Sequence, residues 1–199
     1  AGDVDRAAMQ SNVRRWMGTG LAGILALGSN GEAALLDDDE SDAVVDAVRG
    51  AIPAGRLLLV GTGRESTRAT ISACQRAAKH GADAVLVRTP SFFKTQMTTD
   101  ALVAHFNGVA DASPVPVLLY NLPGVTGITL TPAVVRPLAD HPNIVGIKET
   151  SPDLERLGIF AGIRPDRFAV LVGWAPVLYP ALAAGACGAI LAVANVVPD

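Results

Sequence analysis

A parallel α/β fold curled into a barrel is what the sequence predicts, and three observations predict it. Short apolar runs of strand length recur along the chain, segments with helical spacing separate them, and polar residues follow one run after another. Strands buried on both faces read as unbroken hydrophobic runs rather than alternating ones. Strand and helix in alternation imply a parallel sheet, and a barrel gathers its chemistry where its strands end.

In chain order the runs are Gly23 to Leu27, Leu57 to Val60, Ala84 to Val87, Val115 to Leu119, Ile144 to Ile147, Ala169 to Val172 and Ala189 to Val193. After the first, Gly28-Ser29-Asn30-Gly31-Glu32 places Ser29 and Glu32 at capping-box spacing. After the second, Gly61-Thr62-Gly63 lacks the full dinucleotide fingerprint and reads as an ordinary loop. Ser66 to His80, with Ile71, Cys74 and Ala78 on one face, is a helix closed by Gly81. Thr99 to Ala110, with Leu102, Val103 and Phe106, is another. Thr131-Pro132 and Ser151-Pro152 place a hydroxyl and a proline as helix starts do, and Gly185 follows a further helical stretch. The polar residues after the runs (Ser29, Asn30, Thr62, Thr89, Tyr120, Lys148, Thr150, Asn195) favour a closed barrel over an open sheet, because many loops then share one rim. No linker or low-complexity stretch divides residues 1–199, so a single domain is expected.

Composition narrows the partners. Half of the 199 residues are hydrophobic and 18% are charged, which argues against disorder. A net charge of -3 with mixed signs, and aromatics at 5%, leave little to grip phosphates or stack on bases, so no nucleic acid partner is expected. Cys74 and Cys187 are far apart, and His80, His105 and His141 are scattered, so neither a disulfide nor a metal site is expected. Ala1 to Arg15 shows no secretory h-region. Between Arg167 and Asp199 there is no charged side chain, a run long enough to span a bilayer. Gly173, Pro176, Pro180, Gly185 and Gly188 break it into pieces that fit strand, helix and strand, so no membrane span is expected.

Two polar tips carry the chemistry. Lys148 ends the run from Asn143 to Ile147, and Tyr120 ends the run from Val115 to Leu119. Taken alone, a strand-end lysine ordinarily snorkels into solvent and a tyrosine ordinarily packs. An apolar surround changes the lysine: it penalises the ammonium and leaves a neutral amine that attacks ketones. A nearby phenol can then move protons during carbinolamine dehydration and carbon–carbon cleavage. The Gly28–Glu32 turn, besides starting a helix, offers hydroxyl, amide and N–H groups to a carboxylate.

Four ordered motifs resemble the dihydrodipicolinate synthase and N-acetylneuraminate lyase family, class I pyruvate aldolases on (β/α)8 TIM barrels. They are Gly28-Ser29-Asn30-Gly31-Glu32; Tyr120-Asn121-Leu122-Pro123 with Thr126-Gly127; Ile147-Lys148-Glu149-Thr150-Ser151; and Gly185-Ala186-Cys187-Gly188-Ala189-Ile190 with Asn195. The resemblance covers essentially the whole chain. It implies that Lys148 forms a Schiff base with a 2-oxo acid, that Tyr120 relays protons, and that Ser29 and Asn30 hold the pyruvate carboxylate. Thr150 is implied as a further substrate-binding residue, and Gly173 and Ile190 as pocket lining. The imine itself is the electron sink, so no cofactor and no metal are implied; a cytoplasmic homo-tetramer is.

The chain departs from the synthase pattern at three places. Ser29-Asn30 stand for Thr-Thr, Val125 stands where an arginine meets the second substrate's carboxylate, and Phe92-Phe93 stand for a tyrosine pair, one of which completes a proton relay. These depart from the synthase, and the Ser29-Asn30 loop, with the stretch Gly61 to Thr67 and the longer loop through Met97, looks more like the 4-hydroxy-2-oxoglutarate aldolase branch, which releases pyruvate and glyoxylate. 4-Hydroxy-tetrahydrodipicolinate synthase and 2-keto-3-deoxy sugar acid aldolases are the alternatives. The family's barrel also has a strand before the helix that starts near Val4, and helices beyond the last strand. Neither is visible here, so an incomplete barrel is expected, and a non-catalytic truncated barrel is the second reading.

Overall fold

In a computed structural model, which describes residues 2–198, seven strands run parallel and in chain order. They are β1 (Gly23–Ala26), β2 (Leu57–Gly61), β3 (Ala84–Arg88), β4 (Val117–Asn121), β5 (Ile144–Glu149), β6 (Ala169–Val172) and β7 (Gly188–Ala189). Helix α1 (Arg6–Met17) precedes β1, and α2 (Asp38–Arg49), α3 (Thr67–Lys79) and α4 (Thr99–Ala112) make the next crossovers. A single turn, α5 (Pro123–Thr126), and α6 (Pro132–Leu138) lead to β5; α7 (Leu154–Ala161) and α8 (Leu178–Ala183) complete the set. Neighbouring helices touch from α1 to α4, then α4 to α6, α6 to α7 and α7 to α8, so they form an outer layer around a curled sheet.

Local chemistry explains the starts and stops. Ser66 and Thr98 accept the N–H of Ala69 and Ala101, capping α3 and α4. Asp37 and Glu40 form a reciprocal capping box on α2, whose first turn carries three acidic residues against the helix dipole. Gly81 and Gly185 follow their helices at φ +88° and +105°, a conformation that costs other residues strain.

Four local expectations are corrected. Ser29 caps no helix: Ser29–Gly31 is one 3-10 turn, and Glu32 is left-handed at φ 56°, so the capping-box spacing there is coincidental and α2 begins at Asp38, capped by Asp37, instead. Ser151 is not a cap either; Asp153 takes that place, accepting the Arg156 N–H at 2.8 Å. The strand expected over Val115 to Leu119 begins two residues later and includes Tyr120 and Asn121, because pairing with β5 continues through both. The run from Ala189 to Val193 is mostly not strand. After Ala189 the chain turns into a 3-10 segment, Ala192–Asn195, whose Asn195 carbonyl accepts the Trp16 indole N–H of α1 at 3.0 Å.

The core has two parts. Outward-facing strand residues such as Leu58, Val85, Leu119, Ile147 and Val170 pack beneath the helices with Val44, Cys74, Phe106 and Phe160. Each large side chain buried there contributes about 1.5–3 kcal/mol. Inward-facing Leu86, Leu118, Tyr120 and Leu122 form a smaller interior cluster with Leu25, Leu59, Val145 and Leu171. β1 and β7 are not paired with one another, so the sheet is a barrel of seven strands left open along one seam. Both cysteines are free thiols. Among the described residues, no helix is long and apolar enough to cross a membrane.

A bulge in β5 decides which way the site points. Val117 pairs with Ile144 but Leu118 pairs with Gly146, which leaves Val145 as an extra residue. Ile144 and Ile147 therefore both join the outer core, while Val145 faces inward and Lys148 pairs beside Tyr120. Gly146 makes the irregularity possible, because a Cβ there would collide with the Ala169 carbonyl oxygen.

Candidate active site

Lys148 and Tyr120 are cross-strand partners at the C-terminal ends of β5 and β4. Both are buried, at 7% and 6% exposure. The Lys148 Nζ lies 3.5 Å from the Tyr120 Oη and 4.6 Å from the centre of its ring. Burial pulls the amine from its ordinary pKa of 10.5 to about 8. A cation over a ring face gains about 0.5–2 kcal/mol, which favours the ammonium. At that pKa about one amine in ten is neutral near pH 7, far more than for a lysine in water.

Tyr120 has a second partner. Its Oη and the Ser29 Oγ are 2.9 Å apart, a bond between residues 91 positions distant in sequence. Amine, phenol and serine hydroxyl therefore form a continuous chain from the barrel interior to the rim. Phe92 and Phe93, which lack hydroxyls, point elsewhere: they stack edge to face at 5.0 Å and are 78% and 66% exposed. Their loop is clasped by Glu65, which accepts the N–H groups of Ser91 and Phe92 at 2.8 Å each and the Arg88 guanidinium at 2.8 Å. Burial alone would raise the Glu65 pKa, but these donors outweigh it and hold it at about 2.

A cavity of about 710 Å³ opens beside the amine, lined by Ser29, Asn30, Tyr120, Lys148, Leu171 and Ile190 among others, and it continues along the open seam between β1 and β7. Five of the seven residues expected in the site therefore share one wall. Thr150, expected to bind substrate, and Gly173, expected to line the pocket, are not among the residues that line it. Gly173 lies where any Cβ would meet the Thr150 hydroxyl and would come within 2.9 Å of the Lys148 Cε, so its bareness makes room for the lysine stem. The Thr150 Oγ1 is buried with no hydrogen-bond partner among the described residues.

The sequence reading overlooked Glu149. It is fully buried on the opposite face from Lys148, where its Oε2 accepts the Asn121 amide at 2.7 Å and the Arg156 Nε at 3.2 Å. Two adjacent charges at the end of a strand must face opposite sides. That was the available signal.

No group of three or more metal-binding side chains occurs among the described residues. Together, a curled parallel sheet and a buried amine beside a phenol at its C-terminal rim define an α/β-barrel protein with a polar pair at the end where such barrels gather their functional side chains. The comparisons narrow this further: the dihydrodipicolinate synthetase family model matches residues 1–199, and the chain belongs to that family. It is 42% identical over 199 residues to a 4-hydroxy-tetrahydrodipicolinate synthase of Xanthomonas campestris pv. campestris, covering 100% of this chain and 65% of the relative. It is 38% identical over 201 residues to a probable mitochondrial 4-hydroxy-2-oxoglutarate aldolase of Emericella nidulans, covering 98% and 65%. Among solved structures it resembles YagE, a prophage protein of this family from E. coli crystallised with pyruvate, at a TM-score of 0.93 and 34% identity over 99% of this chain and 67% of that one. A pyruvate complex of the Acinetobacter baumannii dihydrodipicolinate synthase gives 0.94 and 32%, with the same coverage. The chain spans 65% of the length of the two curated relatives.

Proposed function

We propose that the protein is a Schiff-base-forming class I aldolase that cleaves a 2-oxo acid, with 4-hydroxy-2-oxoglutarate as substrate and pyruvate and glyoxylate as products. The observation that carries this reading is a lysine amine held in an apolar wall and depressed to a pKa of about 8, 3.5 Å from a phenol. The neutral Lys148 amine attacks the keto carbon, and loss of water from the carbinolamine gives a protonated imine. Tyr120 takes the proton of the C4 hydroxyl as its own phenol proton passes to the Ser29 Oγ. The C3–C4 bond then breaks, its electron pair moving into the imine to leave a pyruvate enamine, and the aldehyde departs. Protonation at C3 and hydrolysis return pyruvate and the free amine. The Tyr120–Ser29 bond supports a relay that needs no second tyrosine, with the Ser29 hydroxyl passing the proton towards the rim. Ser29 and Asn30 receive the carboxylate and Ile190 closes the wall, while Thr150, expected to touch substrate, instead backs the Lys148 stem at Gly173.

Two features favour the aldolase over the synthase. Val125 is 70% exposed and offers no charge to a second carboxylate, and Phe92 and Phe93 supply no hydroxyl to the site. The 42% identity to a synthase keeps condensation of the same enamine with a second aldehyde as the alternative chemistry. Incubation with pyruvate and borohydride, then peptide mass mapping, is expected to find the reduced adduct on Lys148. An adduct elsewhere, or none in folded protein, refutes the mechanism. A panel of hydroxy-oxo acids assayed for pyruvate release then ranks the aldehyde half. A cytoplasmic homo-tetramer completes the proposal, and light scattering on the purified protein tests the assembly.

A further inference from the structure

Behind the catalytic wall, Asn121 and Glu149 are the next cross-strand pair after Tyr120 and Lys148, facing the opposite side of the sheet. Both are fully buried. One carboxylate oxygen of Glu149 takes two bonds, from the Asn121 Nδ2 at 2.7 Å and the Arg156 Nε at 3.2 Å; the other has no partner among the described residues. Arg156, on α7, also donates to the Ser151 Oγ at 2.6 Å and pairs with Asp153 at 2.8 Å. Asn121 in turn accepts the Leu130 N–H at 2.8 Å, which fixes its amide orientation. A carboxylate in such a place costs free energy that an apolar residue would not, so its retention calls for a benefit elsewhere.

We propose that Glu149 is a positioning residue, its bonds to Asn121 and Arg156 locking the tips of β4 and β5 together so that the Tyr120 hydroxyl and Lys148 amine on the other face keep their working distance. This rests on the reading of Lys148 as the imine-forming amine. The geometry makes the coupling direct. A strand residue and its successor share a peptide, so sliding Asn121 past Glu149 moves Tyr120 past Lys148 by the same amount. The bulge at Val145 makes such a lock necessary, because the regular ladder is broken only three residues before Lys148.

Two substitutions separate positioning from simple packing. Glu149→Gln retains an oxygen for both donors and sets its NH2 where the partnerless oxygen was. Glu149→Met keeps the volume and removes the acceptor. With cooperative melting retained, Glu149→Met is expected to slow Lys148 imine formation with pyruvate by about tenfold to a hundredfold, the cost of roughly an ångström of misplacement. Half-saturation by pyruvate should change by less than about twofold, since Ser29 and Asn30 are untouched. Glu149→Gln should stay within about twofold of the parent in both. Crystal structures of the same variants read the 3.5 Å Nζ–Oη spacing without any turnover: it should open in Glu149→Met and persist in Glu149→Gln. If Glu149→Met does not fold, Asn121→Ala removes the same bond from the other strand. A folded variant lacking the bond but retaining spacing and imine rate overturns the lock. A parent protein that forms no adduct overturns the aldolase reading instead, and the spacing measurement still decides the lock.

Discussion

Replacing Lys148 with methionine should make the protein more stable while abolishing its proposed chemistry. Methionine keeps the unbranched stem that threads past Gly173 and removes only the amine that burial penalises. A fall from 10.5 to about 8 means that the folded state disfavours the ammonium by about 3 kcal/mol. Relaxation and water entry in the parent reduce what is recovered, so a gain of about 1–3 kcal/mol at pH 7 is expected. In a chain of this size that corresponds to a rise in Tm of roughly 2–12 °C. The pH dependence is the sharper test. Below pH 8 the amine is charged in both folded and unfolded chains, and the penalty is present in full. Between about 8 and 10.5 the unfolded chain binds the extra proton, so the parent gains stability with rising pH. The advantage of Lys148→Met should therefore shrink across that window to whatever the methionine contributes by packing. Denaturant unfolding of both proteins at pH 7 and at about pH 10 measures it, since groups common to both cancel. A variant that is less stable at pH 7, or an advantage that does not change with pH, would falsify the claim that the amine is buried at a cost.

Tyr120→Phe keeps the interior packing but removes the hydroxyl between Ser29 and Lys148; borohydride trapping in single-turnover experiments should show imine formation slowed by about 10²–10⁴-fold, with stability changed by about 1 kcal/mol or less. Gly173→Ala drives a methyl into the Thr150 hydroxyl and to 2.9 Å from the Lys148 Cε, so pyruvate release should fall at least about tenfold. Adding Thr150→Ala should restore part of it, and no recovery would mean that the methyl acts elsewhere. The Glu65 clasp has a pH signature: its carboxyl is held at about 2, so the stability it gives the Phe92–Phe93 loop is complete above its ordinary 4.5 and lost as pH falls towards 2. Hydrogen exchange at the Ser91 and Phe92 amides should accelerate in that window, and Glu65→Gln should show the faster exchange already at pH 7.

What could be known from the sequence alone was periodic or covalent. Apolar runs and helical spacing marked seven strands separated by helices, because burial on both faces leaves an unbroken hydrophobic signature; the polar residues after the runs pointed to a barrel. Lys148 and Tyr120 stood out because a polar tip on such a run is rare. Ser29, Asn30 and Ile190 were reached through motifs. The misjudged ends were those where one dipeptide had to choose between competing partners. Ser29 prefers the Tyr120 hydroxyl to a helix N–H, Ser151 yields the cap to Asp153, and the run after Ala189 bends away to meet Trp16.

Tertiary structure alone settled what faces what. A strict period of two along β5 would put Lys148 on the same side as Ile144, in the outer core. The extra residue at Val145, tolerated because Gly146 lets the Ala169 carbonyl approach, turns Lys148 to the interior beside Tyr120. The same half-turn sends Glu149 into a buried bond with Asn121 and Arg156, a role no local pattern reveals. Composition specifies that strands form and are buried. Register, which depends on long-range pairing between segments some thirty residues apart, specifies which atoms meet.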